Sequence, residues 1–337
     1  MQTTQITLST RPVGEPTAAD FDTVTVDLPP LADGQVLLRV IYLSLDPYMR
    51  GRMSEAESYA EPVALGEVMV GATVCEVLES RSPKRAVGDL VLSYSGWQTH
   101  AVADARATRR LDPAAAPVST ALGVLGMPGF TAYAGLLEIG RPRPGETVVV
   151  AAATGPVGSA VGQIAQLKGA RAVGIAGGAE KCRALVEEFG FDAAVDHSAP
   201  DFRDQLADAV PDGIDVYFEN VGGHVARAVL RHLNLYARIP VCGLVAGYNA
   251  TEAAEGPDRL DAFMRRVLIK SLTVRGFIQS EFEREHHARF LEEMSAWVAE
   301  GKVRYREDIT VGLQHAVEAF TGMLAGRNFG KALVRIS

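Results

Sequence analysis

ETVVVAAATGPVG, residues 146–158, opens with an apolar run too continuous for a strand with one wet face, and it closes on two glycines, Gly155 and Gly158. A continuous run of this kind reads as a strand buried on both faces, which is the habit of parallel sheets between helix layers. The glycines fall at the strand-to-helix junction, where they permit a tight turn and close approach of backbone to a pyrophosphate, with the helix N-terminus offering N–H groups to the phosphates. A glycine pair alone is also an ordinary strand-to-helix turn. The pattern of the next 120 residues separates the two readings.

After a helix from about 157 to 168 comes RAVGIAGG (171–178), then the helix AEKCRALVEEFG ending at Gly190. AAVDH precedes the helix DFRDQLADAV, and IDVYFENVGG precedes HVARAVLRHLN. ARIPVCGL (237–244) and SLTVRGFI (271–278) complete a row of six strands, and an amphipathic helix follows over about 281–300. Six strands alternating with helices make a doubly wound Rossmann sheet.

Residues 35–45, 62–78 and 88–103 read instead as short strands punctuated by glycine. The closing GKALVRIS is a strand with no helix after it, so its economical place is in that β-rich part. The expected architecture is α/β: a six-stranded parallel Rossmann sheet (124–300) inserted into a mostly β domain built from residues 1–123 and 301–337. At 337 residues the chain exceeds the size at which one core keeps growing, which agrees with two domains.

The strand after the glycines bears on which nicotinamide carrier is bound. NAD sites place an acid about 20 residues beyond the glycines for the ribose 2′-OH. Here the strand ends Ile175-Ala176-Gly177-Gly178, the first acid is Glu180 inside the helix, and Lys181 follows it. A missing carboxylate and a nearby ammonium fit NADPH, whose 2′-phosphate the carboxylate would repel. The plain alternative for Lys181 is an exposed lysine at a helix start, a place where cations are disfavoured.

Bulk properties exclude several classes. A net charge of −8 argues against a nucleic-acid partner, and the pairs Arg109-Arg110 and Arg265-Arg266 read as solvated surface. No apolar run is long enough for a membrane span and residues 1–10 lack a signal-peptide core, so the expected compartment is the cytoplasm. Cys75, Cys182 and Cys242 are widely spaced thiols with no C-x-x-C pair, which excludes a four-cysteine zinc site.

Several motifs in order resemble one family: LSLDPYMRGRM (43–53), GWQTHAV (96–102), GMPGFTAY (126–133), AATGPVG, ENVGG (219–223), CGLVAGYN (242–249) and GRNFGK (326–331). The chain resembles the medium-chain dehydrogenase/reductases. Within them it looks like the zinc-independent leukotriene B4 dehydrogenase/prostaglandin reductase group, which includes 2-alkenal and double-bond reductases. The resemblance implies a GroES-like catalytic domain, an NADPH cofactor and commonly a homodimer. It implies that Gly155, Pro156, Val157 and Gly158 hold the pyrophosphate, and that Lys181 holds the 2′-phosphate. Asn220 would contact the cofactor after the fourth strand. Cys242, Gly243, Leu244, Phe277 and Ile278 would line the nicotinamide and its ribose, with Met127 and Thr131 beneath it. Asn328 would reach the cofactor from the catalytic domain, and Tyr48 and Tyr248 would border the substrate. Three departures stand out. Gly178 replaces a common Ser. His197 replaces a Tyr of the 2′-phosphate pocket, where an imidazole still donates but adds pH sensitivity. Ser280 stands near a lost substrate-side Tyr, which puts eicosanoid substrates in doubt.

The zinc alcohol dehydrogenases of that superfamily need Cys and His ligands, and the corresponding Leu65-Gly66-Glu67-Val68 has no His beside Glu67, while His100 is isolated. Without a Lewis acid, hydride addition to an activated C=C bond is easier than alcohol oxidation, and the developing enolate needs a hydrogen-bond donor. Tyr48 is the first candidate and Tyr248 the second; the bland reading is that each packs with its hydroxyl tied to backbone. Asp46 and Arg50 are read as fixing the Tyr48 loop. The expected partner is thus a small electrophilic substrate, an enone or enal. The alternatives are a quinone oxidoreductase on the same fold and a non-catalytic NADPH-binding protein. Residues 249–260 are read as a mobile segment that closes over substrate.

Overall fold

The apolar run becomes the strand Thr147–Ala151, buried at every position. It lies inside a six-stranded parallel sheet whose spatial order is Ala193–Asp196, Arg171–Ala176, Thr147–Ala151, Ile214–Phe218, Leu233–Val241 and Thr273–Gly276. That is order 3-2-1-4-5-6, the doubly wound arrangement whose chain reversal beside the first strand opens a dinucleotide crevice. Val149 pairs with Val173 on one side and Tyr217 on the other. All three are within 1% of full burial, each contributing about 1.5–3 kcal/mol.

This is the computed structural model of the chain, describing residues 1–252 and 257–337. The segment read as closing over substrate therefore lies partly outside the described residues. The sheet belongs to a compact unit, Val124–Arg306; the other unit joins Met1–Gly123 to Glu307–Ser337. The stretch after the long helix Glu283–Ala299 stays with the sheet because the Gln163 amide clamps Arg304, donating to its carbonyl (2.9 Å) and accepting from its N–H (2.7 Å).

Close backbone packing shapes the sheet-facing elements. The helix Pro156–Leu167 starts with proline, whose missing N–H costs nothing in a first turn, and buries Ala160, Val161, Ile164 and Ala165 on one face. A Cβ on its Gly162 would fall 2.0 Å from the Phe191 ring, so glycine lets the helix sit down on that ring. Thr273–Gly276 departs from expectation: all four residues of this edge strand are exposed rather than buried on both faces. The helix Leu260–Lys270, not anticipated from sequence, also buries no residue.

The other unit holds a mostly antiparallel sheet. Its central strand Gln35–Ser44 pairs with Thr73–Ser80, His100–Asp104 and, through Leu333↔Ser44 and Val334↔Leu43, with the final strand Lys331–Arg335. The closing strand thus returns to the β-rich part, as its lack of a following helix implied. A two-stranded sheet, Gln2–Leu8 with Phe21–Asp27, and the helix Ala316–Leu324 pack here too. They meet around Trp97, fully buried, stacked on Phe21 at 5.8 Å and edge-on to Phe320 at 5.5 Å.

Candidate active site

At the end of Thr147–Ala151 the chain turns through Ala152, held at φ 51, and Gly155 N–H donates back to Ala152 O at 3.0 Å. Gly155 is the N-cap of Pro156–Leu167, and no side chain caps that helix. Its first N–H groups therefore suit an anion. A Cβ on Gly158 would fall 2.4 Å from Ala152 O and 2.7 Å from Ala153 Cα, so only glycine lets the helix start against the turn. Gly155, Pro156, Val157 and Gly158 together form an open backbone cradle at the helix N-terminus.

The second strand ends beside it at Ala176. Gly178, at φ 90, opens the helix Ala179–Glu187, which carries Lys181. The Gly178 N–H donates to Asp196 Oδ1 at 2.8 Å, and Ser198 N–H donates to the same oxygen at 2.9 Å. His197 lies over the strand tip: a Cβ on Gly177 would stand 3.1 Å from its Nε2. The imidazole is half-buried, and burial holds its pKa below the usual histidine value. His224, 5.4 Å away ring to ring, and Lys181 add to the depression, while Asp196 opposes it. Gly178, Lys181 and His197 are thus brought together at one strand tip.

Beyond the fourth strand, Asn220 Nδ2 donates to Ala151 O at 2.8 Å, tying the ends of the fourth and first strands. The Glu219 carboxylate, 4% exposed, accepts from the N–H groups of Val221 (2.7 Å) and Gly222 (2.9 Å). Burial raises its pKa, an effect those N–H groups offset. The Glu219 carbonyl holds Cys242 N–H and Gly243 N–H at 2.9 and 3.2 Å, so this acid fixes the Cys242-Gly243-Leu244 loop. The fifth strand stops at Val241, and these two bonds carry its pairing with the fourth strand just past that end. The Tyr248 phenol folds back onto the loop, close to Gly243 and bonded to the Leu244 backbone, and burial raises its pKa. Phe277 is buried edge-on to Phe218 at 6.1 Å, with Ile278 half-buried next to it. Thr131, in the helix Met127–Ala134, turns its hydroxyl to the Met127 carbonyl at 2.8 Å.

In the other unit, Tyr48 opens the short helix Tyr48–Arg52. Burial, followed by the negative field of Asp46, lifts its pKa well above the ordinary phenol value, so it stays protonated. Asp46, read from the sequence as fixing this loop, has a partner to which sequence reasoning assigns no role. Lys331 and Asp46, 2% and 4% exposed, are paired at 2.7 Å, and Lys331 Nζ also donates to Leu45 O at 2.6 Å. Ser44 donates its hydroxyl to the other Asp46 oxygen. Arg50 anchors the loop to an earlier segment of the chain by donating to Gly14 O at 2.9 Å. Asn328 spans its own turn, donating to Gly330 O at 2.9 Å. The Lys331–Asp46 pair links that turn to the Tyr48 loop. Sequence reasoning likewise misses Glu219, Asp196 and His224; a buried acid directly after an apolar strand is the one available signal, and it points to Glu219.

Among the described residues no three His, Cys, Asp or Glu side chains are grouped to hold a metal ion. Cys75 is fully buried, and burial pushes its thiol up to about 11. No helix of the described residues is long and apolar enough to cross a membrane.

Residues 4–111 match the family model of an N-terminal domain of oxidoreductase, and residues 156–298 match that of a zinc-binding dehydrogenase. The NADPH-dependent curcumin reductase of Escherichia coli (strain K12) is 54% identical over 330 residues, 98% of this chain and 96% of its own. Prostaglandin reductase 1 of Bos taurus is 40% identical over 334 residues, 98% of each. The crystal structure of CurA in complex with NADPH from Vibrio vulnificus aligns with a TM-score of 0.96 at 52% identity, covering 99% of both chains.

Proposed function

Since the chain belongs to the zinc-independent medium-chain dehydrogenase/reductases of the prostaglandin reductase group, an oxidoreductase family, we propose that it is an NADPH-dependent reductase of the activated C=C bond in α,β-unsaturated ketones and aldehydes. The observation that carries the cofactor half is the strand tip at Gly178, where Lys181 and His197 stand and the nearby Asp196 oxygen is occupied by backbone donors. The glycine cradle at 155–158 takes the pyrophosphate, and Lys181 takes the 2′-phosphate. Asn220, the Cys242-Gly243-Leu244 loop, Phe277 and Ile278 border the nicotinamide and its ribose, with Met127 and Thr131 beneath and Asn328 as a further contact. When bound, the reduced nicotinamide supplies the hydride, which the substrate accepts at its β-carbon.

The chain's own part is to hold substrate and manage charge. As the β-carbon gains the hydride, negative charge moves to the carbonyl oxygen, and a phenol aimed there stabilises it. We assign that role to Tyr48, which opens the helix Tyr48–Arg52 on the loop held by the Lys331–Asp46 pair and which burial keeps protonated. Tyr248, whose hydroxyl is engaged with its own loop, serves as the second candidate. The α-carbon then takes a proton from solvent or a phenol. The discriminating experiment follows NADPH oxidation with a panel of simple enones and enals and identifies the product. A saturated ketone or aldehyde supports the reading. Turnover of quinones alone refutes it in favour of a quinone oxidoreductase, and tight NADPH binding with no turnover of any electrophile refutes it in favour of a binding protein.

We further propose a cytoplasmic homodimer. The thiols of Cys75, Cys182 and Cys242 are all free, in keeping with a reducing compartment. Every residue of the edge strand Thr273–Gly276 is exposed, and the nearby helix presents Leu260, Met264, Leu268 and Ile269, each more than half exposed. An open strand edge beside an apolar face is a template for pairing with a second copy. A monomeric mass by light scattering would refute the dimer.

A further inference from the structure

The strand tip that selects the cofactor holds a titratable pair. The His197 ring lies against Gly177, its Nε2 at 3.1 Å from where a Cβ would stand, beside the helix carrying Lys181. The His224 ring is 5.4 Å from it, and His224 Nε2 lies 3.3 Å from the His197 carbonyl. Phe202 closes the far side of His224 at 6.0 Å. The charged and titratable groups facing His197 are His224 from the helix Gly223–Val229, Lys181 from Ala179–Glu187, and Asp196 at the end of its own strand. Asp196 spends Oδ1 on two backbone N–H groups and is held by them at the turn.

We propose that His197 makes the choice of NADPH over NADH proton-linked: a protonated imidazole is the second cation on the 2′-phosphate, so NADPH binding takes up a proton that NADH binding does not. The inference rests on the NADPH reading above and deepens it. Its physical basis is a charge count. A 2′-phosphate brings about two negative charges at neutral pH. In the free protein Lys181 supplies one cation, while burial first, then the fields of His224 and Lys181, hold the His197 pKa below the usual histidine value. A dianion placed at the strand tip reverses that field and favours the imidazolium, whose N–H then makes a charge-assisted hydrogen bond to a phosphate oxygen. The ribose 2′-OH of NADH brings no charge and leaves His197 neutral.

The sign separates this device from the phosphate's own titration. A bound group whose pKa is raised gains affinity as pH falls through the interval between its bound and free values, by up to about tenfold per pH unit. The phosphate monoester loses its second charge near about pH 6, which weakens binding in acid. Cofactor affinities are measured by nucleotide fluorescence for NADPH and NADH between about pH 6 and about pH 8.5, with proton uptake read by an indicator in weak buffer. The NADPH-over-NADH ratio is expected to rise about fivefold or more from about pH 8 to about pH 6.5, with net proton uptake for NADPH only. His197→Gln keeps a hydrogen-bonding side chain but cannot be protonated, so its ratio stays flat or falls in acid. NADH affinity within about twofold of the parent shows that the variant has folded. His224→Gln removes a ring that lowers the His197 pKa and moves the rise to higher pH. An unchanged pH slope in His197→Gln, or equal proton uptake with both cofactors, overturns the proposal and leaves the NADPH reading standing; no preference for NADPH at any pH overturns both.

Discussion

Replacing Lys331 by methionine tests whether the Tyr48 loop hangs on a buried ion pair. The ammonium is 2% exposed, with Asp46 Oδ1 at 2.7 Å and Leu45 O at 2.6 Å as its partners. Burial pulls the Lys331 pKa down while Asp46 and Glu307 push it back up, so the charge survives because of its partners. Methionine fills much the same volume but leaves the Asp46 carboxylate buried without its counter-ion, which costs about 3–5 kcal/mol. The Leu45 carbonyl also loses a donor, worth about 1 kcal/mol. Against a typical total of about 5–15 kcal/mol this is a large fraction. The double variant Lys331→Met/Asp46→Asn removes both charges and is expected to recover most of the loss, giving a coupling of about 2–4 kcal/mol. Urea unfolding read by tryptophan fluorescence reports on the right unit. The chain has two tryptophans, and a Trp297→Phe background leaves Trp97, fully buried on Phe21 and Phe320, as the reporter. A single-variant cost below about 1 kcal/mol, or a double variant as unstable as the sum of its parts, refutes the reasoning.

Tyr48→Phe is expected to lower kcat by about 10- to 100-fold with NADPH affinity unchanged, because it removes a donor without touching the cofactor cradle; an unchanged kcat in steady-state kinetics removes Tyr48 from the chemistry. Lys181→Ala should lower kcat/KM for NADPH about tenfold or more and leave NADH within about twofold, a difference read directly from paired kinetics. Gly158→Ala places a methyl 2.4 Å from Ala152 O, so the turn must open, and nucleotide fluorescence should show at least about a tenfold loss for both cofactors. If NADH and NADPH bind the Gly158→Ala protein normally, the pyrophosphate does not sit at this turn.

How far the fold is legible in the sequence depends on the range over which each interaction acts. Val148 to Ala151 are apolar because both faces of their strand are covered, and that requirement is written locally in four consecutive residues. Gln35–Ser44 is legible by its rough alternation of buried and part-exposed residues, and Lys331–Arg335 by its missing helix, which placed it with the β-rich unit. Thr273–Gly276 misleads because SLTVRGFI has the composition of a buried strand, while its exposure depends on what covers the two faces of the sheet's last strand. QTTQITL escapes notice as polar, although Thr3, Ile6, Thr7 and Leu8 of that strand are buried and Gln5 spends its amide on Gln98 at 2.8 Å. The small-residue helix Met127–Ala134 and its continuation Gly135–Gly140 carry weak periodicity for a related reason. Glycines there admit close neighbours, with the Gly129 Cβ position 1.9 Å from Val124 O and that of Gly135 2.4 Å from the Phe277 ring. Such contacts dictate a residue by what it must lack, and a lacking side chain leaves no pattern to read.

The candidate site divides along the same line. The glycine cradle and Lys181 are sequence-local, since a strand, a turn and a helix start must come one after another. Lys331 and Asp46 lie 285 positions apart, and His197 and His224 meet only because their elements end at the same side of one sheet. No spacing rule relates such pairs; each depends on a sheet order that must be known first. They are also the groups that set charge around the cradle and the Tyr48 loop. A chain of this family can thus keep every local motif and still differ in how its cofactor preference responds to protons, through residues that a motif search passes over.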